Sequence, residues 1–205
     1  MKEKDIILSA RIISMIFTPF YLPLVGLLVL FLFSYLNILP LAYKLFVLVM
    51  VYLFTVLAPT LLIHVYRNHQ GWTPRQLGMR ERRMVPYILS IFCYFACYYL
   101  MHVFHIPHFM SSILVAALMI QILCATINVW YKISTHTGAI GGMAGAILAF
   151  ADIFDFNPLW WFCLTIIVAG MVGTSRMILR QHSLPQVLWG FTVGLIVAFL
   201  IILAI

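Results

Sequence analysis

The sequence predicts an all-α fold, a polytopic integral membrane bundle of six to seven transmembrane helices, and two observations predict it. Of 205 residues, 65% are hydrophobic and only 8% charged, whereas a soluble domain carries about a quarter charged residues. Apolar runs of roughly 20 residues, long enough to cross about 30 Å of hydrocarbon, recur along the whole chain. They leave no room for a separate soluble domain, so residues 1–205 read as one membrane-embedded unit.

Hydropathy and chain breakers place spans near 16–36, 41–66, 84–104, 110–130, 138–155, 159–174 and 185–204. The joints carry Asn37 and Pro40, Gly71 and Pro74, Pro107, Asn157 with Pro158, and Pro185. Trp72, Trp130, Trp160 and Trp161 fall near predicted interfaces, where amphipathic rings belong. Lys2, Lys4 and Arg11 precede the first apolar stretch as in a secretory signal, but no small-residue cleavage site follows and the stretch runs on to Tyr35. The four cysteines lie inside apolar runs and read as small hydrophobes.

Seven crossings put the termini on opposite faces and gather the N-terminus and loops 67–83, 131–137 and 175–184 on one face. Of the twelve Lys and Arg residues, all but Lys44 then lie there. Read as a topology signal, that face is cytoplasmic. Cations that bind an anionic substrate give the same count.

The acidic residues are Glu3, Asp5, Glu81, Asp152 and Asp155. Paired-carboxylate chemistry is hard to build from them, because Asp152 and Asp155 sit at the far end of the fifth span. No P-loop, G-x-S-x-G elbow or H-E-x-x-H helix is present. His102, His105 and His108 form an H-x2-H-x2-H string, but Pro107 interrupts it and no carboxylate or cysteine supports it, so it reads as interfacial. Gly138, Gly141, Gly142 and Gly145 have the small-x-x-x-small spacing of close helix packing.

Histidine, arginine, lysine and serine on the basic face remain. His182 precedes a span that opens at Pro185, and His136 precedes the Gly-rich span. Each therefore sits at a helix N-terminus, whose unpaired N–H groups attract anions. Lys132 and Ser134 adjoin His136, and Arg67, Arg75, Arg80, Arg82 and Arg83 crowd loop 67–83. Guanidinium groups grip phosphate oxygens in pairs. Two histidines among such cations suit phosphoryl transfer, one attacking phosphorus and the other protonating the leaving oxygen, with no metal or cofactor required.

These residues resemble the type 2 phosphatidic acid phosphatases, or lipid phosphate phosphatases, over roughly residues 67–200. The family's S-R-x5-H-x3-D motif is matched by Ser175, Arg176 and His182, with Gln186 in place of aspartate and Gly190 four residues on. Its P-S-G-H motif is matched at Ser134 and His136, with Ile133 and Thr135 replacing proline and glycine. Its K-x6-R-P motif is matched loosely by Arg75 and Arg82, with the proline at Pro86.

The resemblance implies that His182 is the nucleophile, forming a phosphohistidine, and His136 the general acid. It further implies that Arg176, Ser175, Ser134 and the basic loop bind substrate phosphate, which of Arg75, Arg80, Arg82 and Arg83 does so staying open and Lys132 standing in for the missing lysine, with Gln186 orienting the nucleophile without contributing charge. The expected substrate is a lipid phosphate or diphosphate of polyprenyl, phosphatidate or phosphatidylglycerophosphate type, held at the bilayer; no nucleic-acid partner is expected. The expected location is the cytoplasmic membrane, with the site on the extracytoplasmic face by resemblance, against the charge count. A non-catalytic lipid-binding or lipid-transport relative and a lipid phosphotransferase are the alternatives.

Overall fold

A computed structural model of the chain describes residues 3–33, 35–73, 76, 79 and 81–205. The described residues form helices and no strand. They are α1 (Glu3–Ile16), α2 (Leu22–Phe33), α3 (Leu41–His69), α4 (Met84–Val103), α5 (His108–Trp130), α6 (Thr135–Phe154), α7 (Leu159–Ile178) and α8 (Leu184–Ala204). Six of them, α3 to α8, are long and apolar enough to cross a membrane, which makes the chain a multi-pass membrane helix bundle.

The span predicted over 16–36 is the main departure. The chain breaks between Ile16 and Leu22, and α2, with 12 residues, rises only about 18 Å at 1.5 Å per residue. Pro19 and Pro23 lack backbone N–H groups and so cannot sustain a continuous helix there. Hydropathy registers the apolar side chains and is blind to this break. The run still connects the two ends of the bundle, because Ser14 lies beside Arg176 of α7 while Lys44 of α3 bonds the Asn37 carbonyl at 2.7 Å.

A second irregularity interrupts α3. Residues Leu53–Leu57 form a π turn just before Pro59. A proline cannot donate to the preceding turn, and the widened turn absorbs its ring.

The tightest contact joins α6 to α8. An added Cβ at Gly194 would strike the Gly138 carbonyl, and one at Gly141 or Gly145 the carbonyls of Phe191 or Leu195. Two backbones therefore touch along a seam of small residues, the packing that compensates for the weak hydrophobic drive between helices in lipid. Thr137 Oγ1 ties the two helices by donating to the Val187 carbonyl at 2.9 Å.

Candidate phosphate site

The α6–α8 seam brings two helix N-termini side by side. Ser134 caps α6, its hydroxyl accepting from the Thr137 N–H at 3.4 Å, and its own N–H donates to the Gln186 carbonyl in the first turn of α8 at 3.3 Å. At Gly190 a Cβ would collide with the Ser134 carbonyl, so only glycine lets α8 approach the α6 cap this closely. His136 and His182 are thereby carried to the same end of the bundle. His136 lies within electrostatic reach of His182, Arg176 and Arg83.

Ser175 and Arg176, predicted in a loop, belong instead to the last turn of α7, which runs on to Ile178. The helix then closes in a Schellman arrangement: Gln181 N–H bonds the Arg176 carbonyl at 3.0 Å and Arg180 N–H the Met177 carbonyl at 2.9 Å. Arg180 takes the left-handed conformation, φ 51°, at the position where glycine is usual. This turn folds His182 back over Arg176. Both are buried, at 7% and 9% exposure.

The tautomer of His182 follows from its neighbours. The Ser183 backbone N–H donates to Gln186 Oε1 at 3.3 Å as part of a capping box. A backbone N–H can meet only an acceptor, so the amide oxygen faces that way, and the same oxygen lies 3.1 Å from His182 Nδ1. Nδ1 must therefore carry the proton, and the lone pair is left on Nε2. Burial first, then the Arg83 and Arg176 charges, push the His182 imidazole down to about 3 against the partial support of Gln186, so the ring is neutral at physiological pH. Lys132 is held below the usual lysine range by burial and by the same two arginines.

The predicted phosphate binders divide. Arg83 reaches the α6 cap, donating at 3.4 Å to the Ile133 carbonyl and at 3.4 Å to Thr135 Oγ1. Arg82 turns away, its guanidinium 4.5 Å above the Trp72 ring. Arg75 lies outside the described residues. The Ser175 hydroxyl is spent on its own helix, donating to the Met171 carbonyl at 2.7 Å.

His182, Arg176, Arg83 and Lys132 line one end of a cavity of about 2050 Å³, where Arg11 and Glu3 of α1 also contribute. His136, Ser134 and Gln186 are not part of its lining. His136 stands one layer back, against the Ser14 backbone, with Nδ1 buried and unpartnered.

Ser14 is the residue that sequence reasoning missed. Its hydroxyl accepts from Arg176 Nη1 at 2.6 Å, across 162 residues of chain, while Arg176 Nε stays buried without a partner. Helix α1 thus also closes the site. No motif marks this serine; only the run of α1 along α7 brings it here. The chain matches no family model, no curated protein and no solved structure.

Proposed function

We propose that the protein is an integral membrane phosphatase that hydrolyses a lipid phosphate or diphosphate through a phosphohistidine. The observation that carries this reading is the His182 arrangement: a neutral imidazole whose Nδ1–H is held by Gln186, with Nε2 free in a cavity end that also holds Arg176, Arg83 and Lys132. A buried nucleophile facing three cations has the parts that phosphoryl transfer needs, since that chemistry rests on positioning and on stabilising equatorial oxygens.

In the first step Nε2 of His182 forms a bond to phosphorus as the bond from phosphorus to the leaving oxygen breaks; the substrate enters as a phosphate monoanion, and His136 relays its proton to that oxygen. In the second, water attacks the phosphohistidine as the bond from Nε2 to phosphorus breaks, His136 passes the water proton to a phosphate oxygen, and phosphate leaves with His182 regenerated. Arg176, Arg83 and Lys132 hold the equatorial oxygens throughout. Ser14 occupies Arg176 Nη1 and shields His136, so substrate oxygens take its place when they bind.

The test is phosphate release by the purified protein from polyprenyl diphosphate, phosphatidate and phosphatidylglycerophosphate, with acid-labile phosphohistidine trapped by rapid quench. His182→Ala is expected to abolish both signals. Lipid binding with no turnover and no trapped intermediate on any of the three would overturn the phosphatase reading in favour of a lipid-binding protein. Transfer of the phosphoryl group to an added alcohol faster than to water would make it a phosphotransferase.

A further inference from the structure

The cavity does not stop at the cations. From His182 and Arg83 it continues between α2, α4, α5 and α6 as far as Phe154 and Trp161, the residues at the opposite end of the bundle. Thr135 and Phe154, the first and last residues of α6, both line it. Their separation of 19 positions along α6 corresponds to about 28 Å, close to the full thickness of a hydrocarbon core. The volume of about 2050 Å³ is roughly twice the upper range of ordinary small-molecule pockets.

Its chemistry is graded along that length. One end is cationic; below it the α6 wall presents Ala139, Met143, Ala146 and Phe150 in succession, one stripe at helical spacing. A charged mouth above a long apolar bore is complementary to an amphiphile with an anionic head and an extended chain. The cavity is half open rather than sealed, so a chain can enter it sideways from the surrounding lipid, and its apolar lining offers that chain contacts along its whole length.

We infer that the bore is a chain-binding site, in which the hydrocarbon chain of the phosphate lipid is housed inside the bundle while its phosphate sits at the cations. This inference rests on the phosphatase reading for its head group, but the occupant of the bore is defined by its own chemistry: a hydrocarbon chain long enough to pass Ala146. Acyl and polyprenyl chains share that chemistry, and the choice of substrates separates them.

Ala146 lies 11 positions below Thr135 on α6, about 16 Å along the axis, so a bulky side chain there shortens the bore. Ala146→Phe is expected to lower kcat/KM at least tenfold for dioleoyl phosphatidate and for a long polyprenyl diphosphate, and to change it less than twofold for dioctanoyl phosphatidate and farnesyl diphosphate. Retained short-chain turnover also certifies that the variant is folded. Equal losses on long and short chains, or none on either, would overturn the chain site while leaving the phosphatase reading intact.

An activity-independent arm uses His182→Ala protein and a phosphatidate carrying a diazirine at the chain terminus. Crosslinks on Phe150, Phe154 or Trp161 support the chain site even if no lipid is hydrolysed. Crosslinks confined to lipid-exposed side chains such as Leu164 or Ile167 overturn it. A matching polyprenyl probe that labels the same residues more efficiently assigns the chain as polyprenyl rather than acyl.

Discussion

Replacing Gln186 by glutamate changes one atom of the site and tests how the proposed nucleophile, His182, is tuned. The substitution is isosteric and places a carboxylate oxygen where the amide oxygen now lies, 3.1 Å from His182 Nδ1. At an effective dielectric constant of ~20 a unit charge at that distance favours the imidazolium by about 5 kcal/mol, or about 4 pK units. The His182 imidazole, held well below the ordinary histidine range in the native site, would then move up toward that range. Glutamate also keeps the capping box that Gln186 forms with Ser183 and suits the positive end of α8. If half of a full charge develops on the ring in the transition state, the carboxylate stabilises it by about 2.5 kcal/mol, roughly 70-fold in kcat.

The assay is phosphate release from the best lipid substrate across pH 5 to 9. Native protein is expected to show no acid limb from His182 over this range, whereas Gln186→Glu gains one within it together with a higher kcat on its alkaline side. Gln186→Asp, one methylene shorter, is expected to keep or raise activity. A folded Gln186→Glu protein with a lower kcat at every pH and no new acid limb would refute the argument, because residue 186 could not then be the group that holds His182.

The same shift has a stability consequence. With the folded-state value depressed, the unfolded chain takes up a proton below 6.5 that the folded protein refuses, so stability falls as pH drops through that range; at pH 5 the loss is about 2 kcal/mol, and His182→Gln should remove it in thermal unfolding of the detergent-solubilised, substrate-free protein. Ser14→Ala frees a guanidinium N–H on Arg176 and is expected to tighten competitive inhibition by inorganic phosphate about tenfold, the scale of one hydrogen bond to a charged group; weaker inhibition would make Ser14 a phosphate ligand instead. Because Lys132 is held below its usual range, kcat/KM should fall on an alkaline limb below 10.5, and Lys132→Arg should carry that limb upward. Gly194→Ala forces α6 and α8 apart at the Gly138 carbonyl and is expected to cost about 1 to 3 kcal/mol, read as a lower midpoint of unfolding.

The bundle was legible because hydropathy and chain breakers act on the same scale as a membrane span. Pro107, Pro158 and Pro185 stand at helix starts in the structure, within a residue or two of where they punctuate the sequence. Hydropathy fails where a polar residue stays helical for a local reason. Ser175 and Arg176 extend α7 because the serine hydroxyl bonds back to Met171 and the arginine head finds Ser14, neither of which a window average can register. The glycine seam was half legible: the spacing of Gly138 to Gly145 announced close packing, but its partner in Gly190 and Gly194 emerged only from the paired backbones. Among the loop 67–83 arginines, the choice of Arg83 over Arg82 turned on a ring at Trp72 and an α6 cap, contacts that lie beyond reading by motif.

The spacing of Gly190 from Gln186 and His182 now has a mechanical basis. One helical turn separates Gln186, which holds the imidazole, from Gly190, which lets the Ser134 carbonyl come within backbone contact. A side chain at 190 would push α8 away from the α6 cap and break the Ser134 N–H bond to the Gln186 carbonyl, so the two histidines would lose their common frame before either was touched. The seam that packs the bundle thus also sets the separation of His136 and His182, the two residues that the proposed chemistry needs together. Stability and catalysis are therefore expected to respond together to substitution at Gly190, whereas Gly194, one turn deeper in the bilayer, should perturb stability more than turnover.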